Sequence, residues 1–513
     1  MNAKLLDQLK KRKQEVDRRI DKKNWSGASP MIRPQSVKYE LAERQQAISA
    51  GGIGVCMEVL ERLNVRQEIN AAVSVFKLHM PYDEADHIFN IALNHLAGGK
   101  CLEHLELRRT DEAYLNAVGA ERIPDPTTAG DFCRRFDEAD IKNLMTAINN
   151  VRLRVWQQQP DEFFHEAIIE ADGTMVETYG EKKEGISMNY KRLWGYHPLV
   201  VTLANTNEPL FIVNRGGSRP SHEQSPQYFD LSIALCRKAG FRKIVLRGDT
   251  DFALTANFDR WDEDQVKFIF GIDAMPSLEE VADSLAVEAW RPLRRRNKQA
   301  VPTKRRQRRA NAKAAVVVEK GYRNKQLESE SIAEFAYQPG KCKQSYRVVA
   351  VRKQIKVTEG QLRLMDEQRY FFYISNYTKS EKSDRQIVFG GNDRCDQENV
   401  ISQMKACGAL SAPLNDLNSN WTYMVIASLA WSLKAWAALL IKPEGSEEQI
   451  KQQSAIKRQV LRMEFHTFRQ KLIDIPAQII RHARKLLFRL LTYRESMEPL
   501  LLIHASLNRP LHC

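Results

Sequence analysis

The sequence predicts an α/β protein: a mixed sheet flanked by helices, interrupted by a strand-rich insertion, with helical regions at both ends of the chain. Three observations carry that expectation. Short apolar runs that stop at Gly or Asp begin near residue 164, first as a hairpin-linked group and then alternating with helical stretches. Ahead of them, residues 52–155 keep their apolar side chains at helical spacing. Past Asn392 the patterning is helical again almost to the end, including the basic amphipathic run at 479–491.

Composition bounds the rest. The 513 residues suit two to four domains, and 43% hydrophobic with 28% charged residues describe a globular chain. Lys and Arg number 78 against 64 Asp and Glu, a net charge of +14 that fits a polyanionic partner, most often nucleic acid. The eight cysteines form no CxxC pair, which argues against a zinc ribbon or redox dithiol and fits a reducing cytoplasm. The opening stretch, MNAKLLDQLKKRKQEVDRR, holds no apolar run, so secretion is not expected. The run Tyr423–Ile441 is long enough to span a membrane, but Lys434 sits inside it, and a buried helix without membrane contact is expected.

Taken in order, residues 1–35 form a basic arm, either a frayed helix or a solvated tail. Residues 36–160 read as a helical region, in which Thr127 and Thr128 cap a short helix with Phe132 and Phe136 inward and Arg134 and Arg135 outward, as a helix-turn-helix would look and as many helical domains also look. Residues 161–274 hold the first part of the mixed sheet: strands at 167–173, 197–204, 209–216, 243–249 and 266–273, with NTNE as a hairpin turn and a helix from Pro226 to Ala239. Residues 275–375 form the strand-rich basic insertion, where Arg291–Lys313 contains no acid. Residues 376–442 complete the core with a Glu-bearing helix, and 443–513 form a C-terminal helical region.

The chemistry sits at strand ends. Asp172 in EADGT and Asp249 in LRGDTDF each follow an apolar run, where carboxylates stand exposed at a sheet rim and commonly bind divalent metal. Two aspartates brought together repel, and Mg2+ relieves that repulsion. In NDRCDQENVISQMK, Arg394 and Glu398 lie four apart on one helical face, and Lys405 lies seven beyond Glu398 on the same face. Alone, that segment reads as a solvated helix with one ion pair. Beside the two aspartates it supplies a third carboxylate flanked by cations, a set able to hold two metals at a phosphodiester.

These motifs, with LWGYHPLVVTLANTNEPLFIVNR, RPSHE, RWDEDQVKFIFGID and LNSNWTYMVIASLAWSLKAW, run from about residue 165 to 440. They resemble bacterial insertion-sequence transposases of the DDE type, nearest to the insertion-sequence thirteen-eighty family. The resemblance implies an RNase H-like catalytic core with Asp172, Asp249 and Glu398 as the metal triad. It implies two Mg2+ ions, with Mn2+ able to substitute. Arg394 and Lys405 match the Arg and Lys of the family's Tyr–Arg–Glu–Lys motif, while Gly391 stands where the Tyr belongs. The implied partners are double-stranded DNA, as terminal inverted repeats and target, and further copies of the chain in a homodimer or larger synaptic complex. The implied setting is the nucleoid of a bacterial cytoplasm. Within the insertion, Arg294, Arg295, Arg296, Arg305, Arg306, Arg308 and Arg309 are the candidate DNA-binding cations, and Trp290 is a candidate to stack on a flipped base.

Several residues keep two readings. Asp249 matches the family position better than Asp251. His222, with Arg219 and Glu223, reads either as a group near the scissile phosphate or as part of an ordinary surface ion pair. Trp194 and Tyr196 read as packing residues more than base-stacking ones. EADGT also resembles the acidic box of haloacid-dehalogenase-like phosphatases, with Glu170 in the nucleophile's place, a reading that leaves Arg394, Glu398 and Lys405 without a role. A catalytically inactive DNA-binding protein is the remaining alternative.

Overall fold

The computed structural model describes residues 3–20, 47–77, 81–295, 323–359, 362–363, 367–393, 395–482, 485–491, 493–494 and 497–509. Arg296, Arg305, Arg306, Arg308, Arg309 and Arg394 lie outside the described residues.

Helices come first. The basic arm forms α1 (Ala3–Ile20), followed by α2 (Ile53–Arg62), α3 (Val65–Ala72), α4 (Glu84–Leu96), α5 (Pro126–Cys133) and α6 (Glu138–Trp156). Asp83 and Asp137 start α4 and α6 with reciprocal capping boxes. The cap of α5 is Asp125, whose side chain accepts from the Thr128 backbone N–H at 2.9 Å. Thr127 and Thr128, expected as caps, lie inside the first turn because Pro126 takes the first helical position, where its missing N–H costs nothing.

The central sheet has ten strands among the described residues. Its main members are β1 (Glu166–Gly173), β2 (Leu199–Leu203), β3 (Glu208–Val213), β4 (Lys243–Gly248), β5 (Lys267–Ile272), β6 (Arg323–Tyr337), β7 (Tyr346–Glu359) and β8 (Glu367–Ser375). In space they run β6-β7-β8-β5-β4-β1-β2-β3, with the short segments Arg291–Pro292 and Leu362–Arg363 paired to β6 and β7. β2 runs antiparallel to both its neighbours, β1 and β3, and β4 and β5 run parallel to β1. The β2–β3 turn places Asn207 at φ +56, a left-handed conformation that Asn tolerates better than most residues. The strands of the 275–375 stretch extend this same sheet, since β8 pairs with β5 from Phe372 to Ser375.

Further helices cover the sheet: α7 (Ser225–Ala239), α8 (Phe258–Glu263), α9 (Asp384–Asn392), α10 (Cys395–Ala406) and α11 (Leu417–Leu439), followed by α12 (Glu447–Arg462) and α13 (Met497–Leu507). α11 is the only helix among the described residues long and apolar enough to cross a membrane, and its most apolar window lies wholly inside the fold. It packs against α2, α4, α6, α12 and β3, so the N-terminal helices and the sheet share one core. Lys434, the cation inside that run, donates to the Leu461 carbonyl at 3.0 Å, and burial pushes its ammonium down to about 8.

A buried ion pair locks these layers. Arg152 of α6 and Glu208 of β3 are both fully buried and meet at 2.9 Å. Glu208 also accepts from the indole N–H groups of Trp156 and Trp436, at 3.1 and 2.9 Å, so its charge is fully satisfied.

The run 479–491, expected as a helix, is a hairpin: β9 (Ala477–His482) pairs antiparallel with β10 (Lys485–Leu490), and Ala47–Ile48 adds a third strand. Alternation explains it. Ile479 and Phe488 face each other in register, Ile479 is buried, and Phe488 packs on the core beside Gly54. A basic amphipathic run carries periods of both 2 and 3.6, and the pairing of β9 with β10 selects the first.

Candidate active site

Asp172 and Asp249 are brought level by strand register. β1 and β4 are parallel neighbours in which Glu170 pairs with Arg247, so Asp172 and Asp249, two residues further on each chain, stand at the same rim. Neighbouring strands lie about 4.8 Å apart, and side chains two apart share a face. The Glu170–Arg247 contact shows which face: the carboxylate meets the guanidinium at 2.6 Å, with side chains 1% and 8% exposed. Arg247 also donates to the Gly390 carbonyl of α9 at 3.0 Å, tying that helix to the two strands directly below the rim.

Asp249 continues the strand in an extended conformation, and its side chain accepts from the Asp251 backbone N–H at 3.0 Å. Asp251 is exposed within the short 3-10 turn that follows. The strand geometry thus favours Asp249 as the rim residue.

Glu398 arrives on α10, which packs against β1. Beside it, buried Gln397 donates to the Val200 carbonyl at 2.9 Å, and Val200 is the strand partner of Asp172. Seven residues beyond Glu398, the Lys405 ammonium donates to the Met175 carbonyl at 2.7 Å and reaches the Thr174 hydroxyl at 3.5 Å. α10 is therefore pinned on both sides of Asp172, and the face it shares between Glu398 and Lys405 turns toward the chain just past that aspartate.

A donor set made only of carboxylate oxygens suits a hard divalent cation. Among the described residues no three Asp, Glu, His or Cys side chains are gathered as a ready clasp, and Asp172, Asp249 and Glu398 each engage other groups of the protein.

His197, which the motif reading passed over within LWGYHP, adjoins this rim. A Cβ placed on Gly173 would lie 2.9 Å from His197 Cε1 and 3.2 Å from Ser221 Cα, so only glycine fits beside Asp172. The ring Nδ1 sits 2.9 Å from the Arg219 carbonyl. A carbonyl only accepts, so Nδ1 carries the proton and Nε2 presents its lone pair toward Gly173. Burial holds the imidazole below its ordinary pKa range; the bond to the Arg219 carbonyl and the charge of Asp251 oppose that shift, and Arg215 and Lys405 reinforce it.

The RPSHE segment forms the adjoining loop. Buried Arg215 organises it, donating to the carbonyls of His197, Pro220, Ser221 and Glu223 at 2.5–3.2 Å, and burial pushes its guanidinium down to about 10. Arg219 and Glu223 form a surface ion pair at 3.5 Å, and His222 is half-buried. Tyr196 packs fully inside, its hydroxyl donating to the Glu184 carbonyl at 2.6 Å, whereas Trp194 is 42% exposed, against its reading as a packing residue.

The described part of the basic stretch is partly neutralised. Arg295 forks onto Glu330 of β6 at 2.6 and 3.0 Å, and Arg291 meets Asp384 at 2.6 Å, while Arg294 is exposed. Trp290 is buried at 8% exposure, with the Arg352 guanidinium 4.1 Å from its ring centroid, so one face of the indole is already covered. A cleft of about 420 Å3 lined by Glu334, Tyr346, Asn376 and Lys379 lies elsewhere on the sheet. Glu170, the nucleophile candidate of the phosphatase reading, is buried against Arg247 and cannot meet a substrate.

The described chain is thus a mixed α/β protein in which two aspartates follow parallel neighbouring strands and a helix bearing Glu398 and Lys405 packs beside them. The chain belongs to the transposase DDE domain group 1 family, which it matches over residues 35–510. Among solved structures, a piggyBac transposase in a synaptic complex with hairpin DNA is similar at 12% identity, over 83% of this chain and 82% of that one, with a TM-score of 0.37. No curated protein matches the chain. The expected DDE membership is met, and it supports a transposase function.

Proposed function

We propose that this chain is a transposase that binds the terminal inverted repeats of its own element, cuts the DNA there and transfers the freed ends to target DNA. The observation that carries this reading is the parallel register of β1 and β4, paired up to Glu170 and Arg247 two residues before Asp172 and Asp249, with the Glu398 helix tied to the Asp172 strand partner and to Met175. Water attacks the phosphodiester at the element's end, and the released 3′-hydroxyl then attacks a target phosphodiester. Asp172, Asp249 and Glu398 are the residues that would hold two Mg2+ ions, or Mn2+ in their place. Such ions supply charge neutralisation at the phosphate and lower the pKa of a bound water. Lys405 fixes α10 against the strand end, and Arg394, outside the described residues, is assigned to the phosphate by its motif.

The strand order β3-β2-β1-β4-β5, three antiparallel strands continued by two parallel ones, supports an RNase H-like core. The motif likeness supports a bacterial insertion sequence of the thirteen-eighty family, acting at the nucleoid. The helical N-terminal region and the basic insertion are assigned to DNA, and a homodimer or larger assembly holds the two ends together.

The test is a Mg2+-dependent cleavage assay on DNA carrying the element's ends. Asp249→Asn keeps the oxygen that accepts from Asp251, so the turn should survive while cleavage is abolished and end-binding stays within about twofold. Retained cleavage would remove Asp249 from the triad. The alternative is a DNA-binding protein that does not cut. End-binding without cleavage by the unaltered chain would decide for it.

A further inference from the structure

A small second sheet grows out of the rim. Four residues past Asp172, Val176–Glu177 pairs with Trp194–Tyr196, which pairs in turn with Ser187–Met188. The chain then passes directly into His197 and β2. At most about 14 Å of extended backbone separates Asp172 from this sheet.

The hairpin between Met188 and Trp194 is built rigidly. Asn189 N–H donates to the Leu193 carbonyl and Arg192 N–H to the Asn189 carbonyl, both at 3.0 Å. The Asn189 side-chain oxygen accepts from the backbone of Lys191 and Leu193 at 2.9 and 3.0 Å. These bonds hold Arg192 at φ +62, a conformation that costs a non-glycine residue energy. The base is equally fixed. Gly195 (φ +154) lies so close to Val176 that a Cβ would come within 2.0 Å of its carbonyl oxygen, and its own carbonyl accepts from Gly217 N–H at 2.9 Å. Ser218 N–H donates to the Ser187 hydroxyl at 2.8 Å.

This rigid tip exposes what a fold normally hides. Tyr190 is 88% exposed, Met188 43% and Trp194 42%. Lys191 lies 5.3 Å from the Tyr190 ring centroid, Arg192 is exposed, and Ser187–Tyr196 contains no acid. An apolar protein partner has no use for two cations at such a tip. Aromatic faces interleaved with cations match a nucleic-acid strand, whose bases stack and whose phosphates pair.

We propose that the Ser187–Tyr196 hairpin is a DNA contact beside the catalytic rim, where Tyr190 and Trp194 stack on unpaired bases of the DNA end while Lys191 and Arg192 hold the flanking phosphates. The proposal rests on the transposase reading and names a surface of that same site.

The test compares the full chain with Tyr190→Ala/Trp194→Ala, Tyr190→Phe/Trp194→Phe and Lys191→Gln/Arg192→Gln. The probes are a duplex of the element's end and the same duplex with its terminal bases left unpaired. The alanine pair should lose about tenfold in affinity for the unpaired-end probe and change little on the paired one, whereas the phenylalanine pair keeps most of the preference. The glutamine pair should lower the slope of log affinity against log salt by about 1.8 on the paired probe. Equal affinity of the alanine pair and the unaltered chain for unpaired ends, or an unchanged salt slope, overturns the hairpin's role while cleavage by the unaltered chain leaves the transposase reading standing. Failure of the unaltered chain to bind either probe overturns both.

Discussion

Arg247→Met is the perturbation that most directly probes how the rim is held. Arg247 and Glu170 are paired at 2.6 Å with almost no solvent contact, and Arg247 also binds the Gly390 carbonyl at 3.0 Å. Removing the guanidinium leaves a buried carboxylate without its partner, which costs about 3–5 kcal/mol, and the lost bond to α9 adds about 1 kcal/mol. Replacing both partners, as Glu170→Met/Arg247→Met, removes the stranded charge and should cost far less than the sum of the two single changes. Denaturant unfolding of the four proteins measures that coupling. The same bond ties α9, and through it the start of α10, to the rim, so single-turnover cleavage by Arg247→Met should fall on the order of 10²-fold at temperatures where it is folded. A loss of stability under about 1 kcal/mol, or additive single changes, would refute the stranded-charge account. Unchanged cleavage would show that α9 does not position the rim.

Other expectations follow from the same physics. Glu208→Ala strands Arg152 among Trp156, Trp436 and Ser432 and should cost about 3–5 kcal/mol in denaturant unfolding; a loss within about 1 kcal/mol would mean that water or a rearranged partner satisfies the guanidinium. Gly173→Ala forces a methyl group against the His197 ring and Ser221, and should cost about 1–3 kcal/mol and slow cleavage without abolishing end-binding; wild-type cleavage would separate His197 from the site. Burial lowers the pKa of both His87 and His95 to about 4. Each takes up a proton more readily in the unfolded chain, so their contribution is fully present above pH 6.5 and is lost as pH falls toward 4, by up to about 3 kcal/mol per histidine. His504 beside Glu58 runs the other way: its pKa is raised, so its smaller contribution is present below pH 6.5 and is lost as pH rises through the folded value. Unfolding midpoints measured from pH 8 to pH 4 should therefore fall toward acid, and a flat profile would contradict neutral buried imidazoles.

Local pattern was enough to mark the rim. Asp172 and Asp249 announce themselves because an apolar run stopped by Asp is a strand leaving the core, and the spacing of Glu398 and Lys405 is a helix face. The buried helix at 417–439 was legible because an apolar run needs somewhere dry, whatever its single lysine. Partners distant in sequence were not legible. Arg295 reads as a free cation until β6 brings Glu330 beside it, 35 residues on. Trp194 reads as core until the Met188–Trp194 hairpin lifts it into solvent, and the run at 479–491 reads as a helix until β9 and β10 pair with each other. His197 carries no spacing signal, because its role comes from a glycine 24 positions earlier and a carbonyl 22 positions later.

The sequence by itself therefore determined the class of fold and which residues carry charge at strand and helix ends, because those follow from periods of two and 3.6 residues. Only the tertiary structure decided that the parallel register of β1 and β4 carries both chains to one rim, that Glu170 pairs with Arg247 two residues before Asp172 and Asp249, and that α10 is tied to β2 beside them. Register between strands more than seventy residues apart is set by packing of the whole sheet, and no local pattern encodes it.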